Sequence, residues 1–341
     1  MNTIISLDVG YRHLKMYQFG NNPIAFDSVY ADLIGSTTPT VNKHSAIFEY
    51  IKGNHPINKN LEGKRWIAGS KARDKSLYHS ILNYEKTDIA IRIGLLSFIP
   101  VKGQPFIDVD KLIVSLPERR DLEAVNNLKH SFIGEHRYKR NGEEIRLNIK
   151  DVKIEQEGIG TFWMAKKENL IVPNSLTGII DLGGKTCNLL LLDENGDILD
   201  DASGSLKTGG TYHLASLIAS DPRLIRALKG DSIKLDILMD CLAMNSRIIG
   251  TSGVSFEEYY NDYLMQWLGG ILADVKTKWQ RHFHRIGRIL LTGGSSNLIK
   301  NLIANDPTFA VPSNPQFSNV VGLVHGNHLK ALHGGQQNEV A

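Results

Sequence analysis

Cysteine is scarce in this sequence. Cys187 and Cys241 are the two present, they form no C-x-x-C pair, and neither stands in a spacing used to hold zinc. A cysteine-ligated zinc module is not expected, and this cysteine usage fits a reducing, cytoplasmic compartment. Long hydrophobic runs are absent too: no apolar stretch reaches the roughly 20 residues of a membrane-spanning helix, so no membrane association is expected. No secretion signal is expected, because strand-like residues begin directly after Met1-Asn2-Thr3, with no basic segment and no small-residue cleavage site. Charge of one sign is lacking as well. The 39 Lys and Arg residues nearly balance 36 Asp and Glu, for a net charge of +3, and the basic residues are widely spread, so strong direct binding to nucleic acid is not expected. The densest basic run, Arg137-Tyr138-Lys139-Arg140, precedes Gly142-Glu143-Glu144 and reads as a solvated hairpin tip. No G-x-S-x-G elbow and no catalytic cysteine setting occur. His282 and His284 alternate and do not take the i, i+4 spacing of a helical metal site.

What is present is a globular composition, 42% hydrophobic and 22% charged, over 341 residues, a length that predicts two domains of ordinary size. The most informative pattern is a device that occurs twice. Ile5-Ser6-Leu7-Asp8-Val9-Gly10-Tyr11-Arg12-His13-Leu14-Lys15 is echoed by Ile179-Ile180-Asp181-Leu182-Gly183-Gly184-Lys185-Thr186-Cys187-Asn188, with Asp8 in register with Asp181 and Gly10 with Gly183. Each copy is an apolar run, an Asp-x-Gly turn and a second apolar run, ending in a tight-turn signal at Gly20-Asn21-Asn22-Pro23 or Asn195-Gly196. That predicts two β-hairpins. A glycine at such a turn lets backbone N–H groups approach a phosphate, and the aspartate beside it can hold a metal-bound water. The duplication predicts a phosphate clamp between two related domains. Gly183-Gly184-Lys185-Thr186 is not a Walker A loop, because Gly178 lies one position too far away and a hairpin follows where that loop needs a helix.

Between the copies, Ile24 to about Val29 reads as a third strand, and 36–56, rich in Ser, Thr, Asn and His, reads as a surface connection. Trp66-Ile67-Ala68-Gly69 reads as a strand turning into a helix that carries Ala72, and Asp88 to Leu96 has helical spacing through Ile89, Ile93 and Leu96. Lys111 to Leu116 is a buried strand stopped by Pro117, Arg119 to Phe132 a helix, and Glu144 to Ile149 and Val152 to Ile154 two strands. The last delivers Gln156 and Glu157 at its end. After the second device, Thr208-Gly209-Gly210-Thr211 opens a helix to about Ala219, and Glu257 to Lys278 is the longest helical candidate. Arg288 to Thr292 is a strand that passes through Gly293-Gly294-Ser295 into a helix from about Asn297. A strand near Phe309 and a closing helix after Gln316 follow, with Gly334 to Ala341 reading as loose.

Five of these segments, in this order, resemble the signature of the ATPase fold shared by actin, heat-shock chaperones and sugar kinases. They are two phosphate loops (Asp8 to Lys15, Asp181 to Thr186), two connecting segments (Ser115-Leu116-Pro117 with the Gln156 strand, and Ser318 to Leu323) and an adenosine loop (Thr292 to Ser296). Within that superfamily the Asp-Leu-Gly-Gly-Lys-Thr loop, the Leu-Pro after an apolar strand and the Trp66 to Gly69 element are most similar to the ParM/StbA plasmid-segregation actins, over essentially the whole chain. The resemblance implies an α/β protein of actin-like fold, two related RNase H-like domains around a nucleotide cleft, covering residues 1–164 and 165–341, with the C-terminal helix from about 321 packing back on the first domain.

It implies ATP, with GTP also compatible, and Mg²⁺ held by Asp8 and Asp181 through its water shell. The nucleotide-binding residues it implies are Gly10, Tyr11, Arg12, His13 and Lys15 in the first loop, Gly183, Gly184, Lys185 and Thr186 in the second, then Gly209, Gly210, Gly293, Gly294 and Ser295. Gln156, with Glu157 as its neighbour, stands where the family keeps the residue that orients the attacking water, and Gln156 is preferred. The implied activity is ATP hydrolysis that times filament disassembly, with self-association as the main contact and a separate adaptor on centromere-like plasmid DNA. Three departures stand out: Tyr11 replaces a small residue, Gly184 replaces the acidic residue of eukaryotic actin, and Glu155 to Gly160 lacks the proline usual in the ParM group. Two other functions suit the same fold. A small-molecule kinase would use Glu157 as its base, though the chain lacks the length most sugar kinases give their pocket; a nucleotide-gated binding module would not form filaments.

Overall fold

The structure is a computed structural model that describes residues 3–35, 38–80, 89–206 and 208–337. The chain divides into two units, the first running to Gly160 and resuming at Asn319, the second spanning Thr161–Ser318. In chain order the first unit holds β1 (Ile4–Val9), β2 (His13–Gln18), β3 (Ile24–Asp27), β4 (Val29–Asp32), β5 (Ser45–Gly53), β6 (Arg65–Gly69), β7 (His79–Ser80), α1 (Ala90–Gly94), β8 (Phe106–Val109), β9 (Lys111–Leu116), α2 (Leu122–Phe132), β10 (Gly134–Arg140), β11 (Glu143–Ile149) and β12 (Val152–Gln156). Helix α3 (Ile159–Lys167) leads into the second unit, which holds β13 (Leu176–Leu182), β14 (Cys187–Leu192), β15 (Gly204–Ser205), α4 (Thr211–Ala219), α5 (Pro222–Ala227), α6 (Leu235–Ala243), α7 (Glu257–Trp279), β16 (Ile286–Thr292) and β17 (Phe309–Ala310). Helix α8 (Ser318–Gln337) returns to the first unit.

Each unit is built on a five-stranded sheet, ordered β12-β9-β1-β2-β3 in the first and β17-β16-β13-β14-β15 in the second. The two sheets share one topology. In each, the central strand pairs antiparallel with the strand that follows it in the chain and parallel with a strand far along the chain, and one further strand flanks each side in the same sense. All residues of β1 and of β13 are buried, as a strand covered on both faces requires. Leu7, Val9, Leu14 and Val114 enter the first core with Leu128 and Phe132 of α2, while Ile180, Leu182, Leu189 and Leu291 enter the second with Trp267 and Ile271 of α7. Helix α8 is anchored in the first unit where the Ser6 hydroxyl donates to the Val320 carbonyl at 2.7 Å. At its start the Gly160 N–H donates to Asn319 Oδ1 at 3.0 Å, and a Cβ on Gly160 would overlap the Asn319 carbonyl.

The first unit carries a second, seven-stranded sheet, ordered β7-β4-β6-β5-β10-β11-β8, where several expectations need correction. The third strand ends at Asp27: Ser28 donates its N–H to the Arg12 carbonyl, and Val29 starts β4 in the other sheet. Residues 45–53 are not a surface connection but the strand β5, with Ala46, Phe48 and Tyr50 fully buried on one face. The opposite face carries Ile47, Glu49 and Ile51, so apolar residues on both faces conceal the alternation. Arg137 to Arg140 lies within β10, and the tip is Asn141-Gly142, both with positive φ. Tyr138 is buried, Arg137 pairs with Glu144 at 2.6 Å and Lys139 with Glu49 at 2.9 Å, so the run is a paired strand and not a solvated tip.

Helix α2 begins at Leu122, capped by Asp121, and the residues after Gly69 form a 3-10 turn, Ser70–Asp74. The strand β16 is followed by a single 3-10 turn, Gly294–Leu298, in place of a helix from Asn297. Helix α8 continues through Gln337, past the expected start of the loose tail; residues 338–341, and Asp88 at the expected start of α1, lie outside the described residues.

A buried histidine ties β5, β10 and α2 together. The Tyr50 hydroxyl donates to His136 Nδ1 at 2.7 Å, and Nε2–H donates to the Phe132 carbonyl at 2.8 Å. Burial holds His136 below the usual imidazole range, and in the first hairpin burial, reinforced by the neighbouring Arg12, takes His13 down to about 4. Both are neutral in the fold at neutral pH. Below the unfolded value of 6.5 the unfolded chain takes up protons that the fold resists, so stability is full above that pH and falls as pH drops toward 4. Unfolding free energies measured between pH 7.5 and 4.5 are expected to fall steadily, by about 1–3 kcal/mol in total. The slope should be shallower in His136→Gln.

Candidate functional site

In the first unit the turn between β1 and β2 closes when the Gly10 N–H donates to the His13 carbonyl at 3.2 Å. A Cβ on Gly10 would stand 2.9 Å from that same oxygen, so the turn needs glycine. Tyr11 does not block it, because its ring packs on the core of the unit. Asp8, 1% exposed, lies opposite Lys15 on β2, and Lys15 Nζ donates to Asp8 Oδ2 at 3.0 Å. Leu7 pairs with Val114, which sets Ser115 beside Asp8, and Ser115 pairs with Glu155 on β12. Lys15, Asp8, Ser115 and Glu155 thus form one row across four strands. The Ser115 hydroxyl is fully buried and has no hydrogen-bond partner among the described residues.

Gln156 ends β12, but its amide is occupied at both ends. Oε1 accepts from the Arg119 N–H at 3.2 Å, and Nε2 donates to the Pro117 carbonyl. The side chain preferred for orienting water therefore ties down the turn after β9. Glu157 follows, its N–H donating to the Leu116 carbonyl at 2.9 Å and its side chain largely buried, before Gly158, at φ +93, turns the chain into α3.

The second unit repeats the first turn in detail. The Gly183 N–H donates to the Thr186 carbonyl at 3.0 Å, and a Cβ on Gly183 would again stand 2.9 Å from that oxygen. Asp181, buried, occupies the place of Asp8, but the residue opposite is Asn188, whose Oδ1 accepts from the Ser205 hydroxyl at 2.6 Å. In the strand register the first hairpin thus sets a lysine opposite its aspartate and the second an asparagine.

Two further loops close on the second turn. The N–H groups of Gly210, Thr211 and Tyr212 donate to the carbonyls of Lys185, Gly183 and Gly184 at 2.9, 3.1 and 2.7 Å. The hydroxyls of Thr211 and Ser295 both reach the Gly183 carbonyl at 3.3 Å and also meet each other. Gly209 and Gly210 permit this approach: a Cβ on Gly209 would stand 3.0 Å from the Lys185 carbonyl oxygen, and one on Gly210 2.8 Å from that of Thr186. Gly293, at φ +83, passes so near that a Cβ would stand 2.6 Å from Asp181 Oδ1, whereas a Cβ on Gly294 would meet nothing within 4 Å. Gly294 borders open space.

Sequence reading missed the support behind the 208–211 loop. Trp267 Nε1 of α7 donates to the Gly209 carbonyl at 2.9 Å, and Asp274 Oδ2 accepts from the Thr208 N–H at 2.9 Å. Gly270 lies between them, where a Cβ would stand 2.9 Å from Thr208 Oγ1. Their i, i+3, i+7 spacing on one helical face was the only available signal. The described residues contain no group of three or more His, Cys, Asp or Glu side chains able to hold a metal ion, and no helix long and apolar enough to cross a membrane.

The duplicated sheets with their paired Asp-bearing hairpins define an actin-like α/β fold. The crystal structure of Ta0583, an archaeal actin homologue, superposes with a TM-score of 0.75 at 18% identity, over 96% of this chain and 99% of that one. The same archaeal protein in complex with ADP gives 0.73 at 18% identity, over 94% and 97%. A ParM from Clostridium botulinum, solved as a 15-stranded filament, gives 0.71 at 16% identity, over 96% and 100%. A family described as the C-terminal part of archaeal MreB-like actin homologues matches residues 179–305. No curated protein sequence matches the chain.

Proposed function

We propose that the protein is an ATP-driven, self-assembling actin-like ATPase whose filaments position plasmid DNA through a separate adaptor, with the residues of the two hairpins binding Mg-ATP. One observation carries the reading: two turns of one geometry, each closed from glycine to the residue three along, each following a buried aspartate by two positions. The similarity to a filament-forming ParM and to an archaeal homologue solved with ADP supports it.

The residues suit the implied group. Mg²⁺ retains several waters and takes one or two carboxylates together with phosphate oxygens, so single aspartates suit it better than a cage of protein ligands would. The orphaned Ser115 hydroxyl beside Asp8 needs a partner, which a cation-bound water would supply. The open space at Gly294 suits an adenosine. Bound Mg-ATP supplies the transferable γ-phosphoryl group and the positive charge that neutralises it.

The chain does the rest. Asp8 and Asp181 would hold the cation through its waters, the turn N–H groups after each aspartate would bind phosphate, and Lys15 would give up part of its hold on Asp8 to reach it. Gln156 keeps the 117–119 turn in place, and Glu157 orients the attacking water. Loss of the γ-phosphate contacts after hydrolysis weakens the filament.

In this reading Glu157→Gln binds ATP and assembles but hydrolyses about 10–100-fold more slowly, with filaments that persist. Gln156→Ala costs about 1 kcal/mol of stability and slows hydrolysis less. Phosphate release and pelleting measured together check both. Hydrolysis at the wild-type rate in Glu157→Gln, with arrest in Gln156→Ala, would reverse the two roles. Transfer of phosphate to an added sugar would instead indicate a kinase.

A further inference from the structure

Helix α7 holds two adjacent glycines near its middle, and only one has a reason among the described residues. Gly270 faces Thr208, where a side chain would collide; a Cβ on Gly269 would meet nothing within 4 Å. An exposed glycine inside a helix weakens it relative to alanine and invites an explanation. The face that Gly269 occupies supplies one. Along it run Asp262, Met265, Gly269, Leu272 and Lys276, all exposed, with Met265 at 55% and Leu272 at 44%. Neither Asp262 nor Lys276 has an ion-pair partner among the described residues. The opposite face, with Leu264, Trp267, Leu268, Ile271 and Val275, is buried in the core of the second unit.

The exposed face is self-complementary about Gly269. Asp262 lies seven residues before it and Lys276 seven after, while Met265 and Leu272 flank it at four and three. At 1.5 Å per residue each charge stands about 10 Å from the glycine. A second copy of the helix laid antiparallel across Gly269 would bring Asp262 of each copy to Lys276 of the other, and Met265 of each to Leu272 of the other. The missing side chain allows the axes to approach toward the lower end of the 8–10 Å usual for packed helices.

We propose that this face of α7 is a two-fold contact between copies of the chain, with the symmetry axis passing beside Gly269. Such a contact is isologous, so every cross-pair is made twice. It names a self-contact for the assembly proposed above but does not require nucleotide, so it is tested on nucleotide-free protein. Failure of ATP-driven assembly would leave its outcome readable.

The test places a thiol on the axis. Both native cysteines are buried, so Gly269→Cys offers the accessible thiol. Leu302→Cys, at a residue 54% exposed elsewhere in the second unit, is the control. Under mild oxidation Gly269→Cys is expected to form covalent dimers at least about tenfold faster than the control, as an axial position demands. In the Gly269→Cys background Asp262→Lys should reduce that rate on the order of tenfold, because two attractive pairs become two repulsive ones. Asp262→Lys combined with Lys276→Asp should restore it, since the swapped pairs are again opposite in sign. Thermal midpoints within a few degrees of wild type establish that each variant is folded. Equal rates at 269 and 302, or no rescue by the double reversal, would overturn the proposal.

Discussion

Asp8→Ala is expected to abolish Mg-dependent ATP binding and with it any nucleotide-driven assembly. Asp8 is almost wholly buried and faces Lys15 at 3.0 Å, so alanine removes the carboxylate proposed to hold the cation and takes a charged partner from the lysine. Stripping one member from a well-shielded ion pair typically costs about 3–5 kcal/mol; here some of that is relieved because Lys15 keeps partial access to solvent. Asp8→Asn separates the two effects. It preserves volume and an acceptor for Lys15, so stability should fall less than in Asp8→Ala while affinity for Mg-ATP falls at least about a hundredfold. Calorimetric titration of both variants, with and without Mg²⁺, reads this directly. Wild-type affinity in Asp8→Asn would remove Asp8 from the site.

The second large effect is expected from a pair of neighbours with opposite consequences. Gly293→Ala forces a side chain into a backbone at φ +83 and into contact with Asp181 Oδ1 and the Leu182 carbonyl. The positive φ alone costs about 1 kcal/mol. Displacement of β13 against β16 raises the total to about 2–4 kcal/mol. Asp181 is also pushed from its place, so nucleotide binding should be lost together with stability. Gly294→Ala meets no such obstacle, since its new methyl enters open space. Stability is expected to stay within about 0.5 kcal/mol of wild type, whereas ATP affinity should fall several-fold because the methyl occupies the room proposed for adenosine. Denaturant melts together with ATP titrations distinguish the two; equal behaviour of both variants would contradict the account of this loop.

Most of the scaffold was legible because the duplicated hairpins announce themselves in short range. Asp-x-Gly between two apolar runs fixes a turn whatever the rest of the chain does, and α4, α7 and β16 begin or end within two residues of their sequence signals. Strand β5 escaped notice because Glu49 and Lys52 interrupt its apolar residues and the flanking residues are rich in Ser, Thr, Asn and His, a composition that resembles a loop. The arrangement of the seven-stranded sheet, in which β5 lies between β6 and β10, depends on long-range pairing that no local pattern encodes.

The geometry of the two Asp-x-Gly turns was legible to the same degree. Glycines and aspartates at the turns are dictated by backbone geometry and so can be read from spacing. The roles of Gln156, Trp267 and Asp274 depend on which carbonyl or N–H lies across a gap of tens of residues. Gln156 in particular looked suited to water from its position at a strand end, and only the placement of Pro117 and Arg119 reveals that its amide is already engaged.

The central claim, that Mg-ATP drives this chain to assemble and that hydrolysis then releases it, is tested most directly by right-angle light scattering of the purified protein on addition of Mg-ATP at several protein concentrations. The account predicts a rise above a critical concentration followed by decay as ATP is consumed. A flat trace at every concentration, with ATP binding established separately, would contradict it.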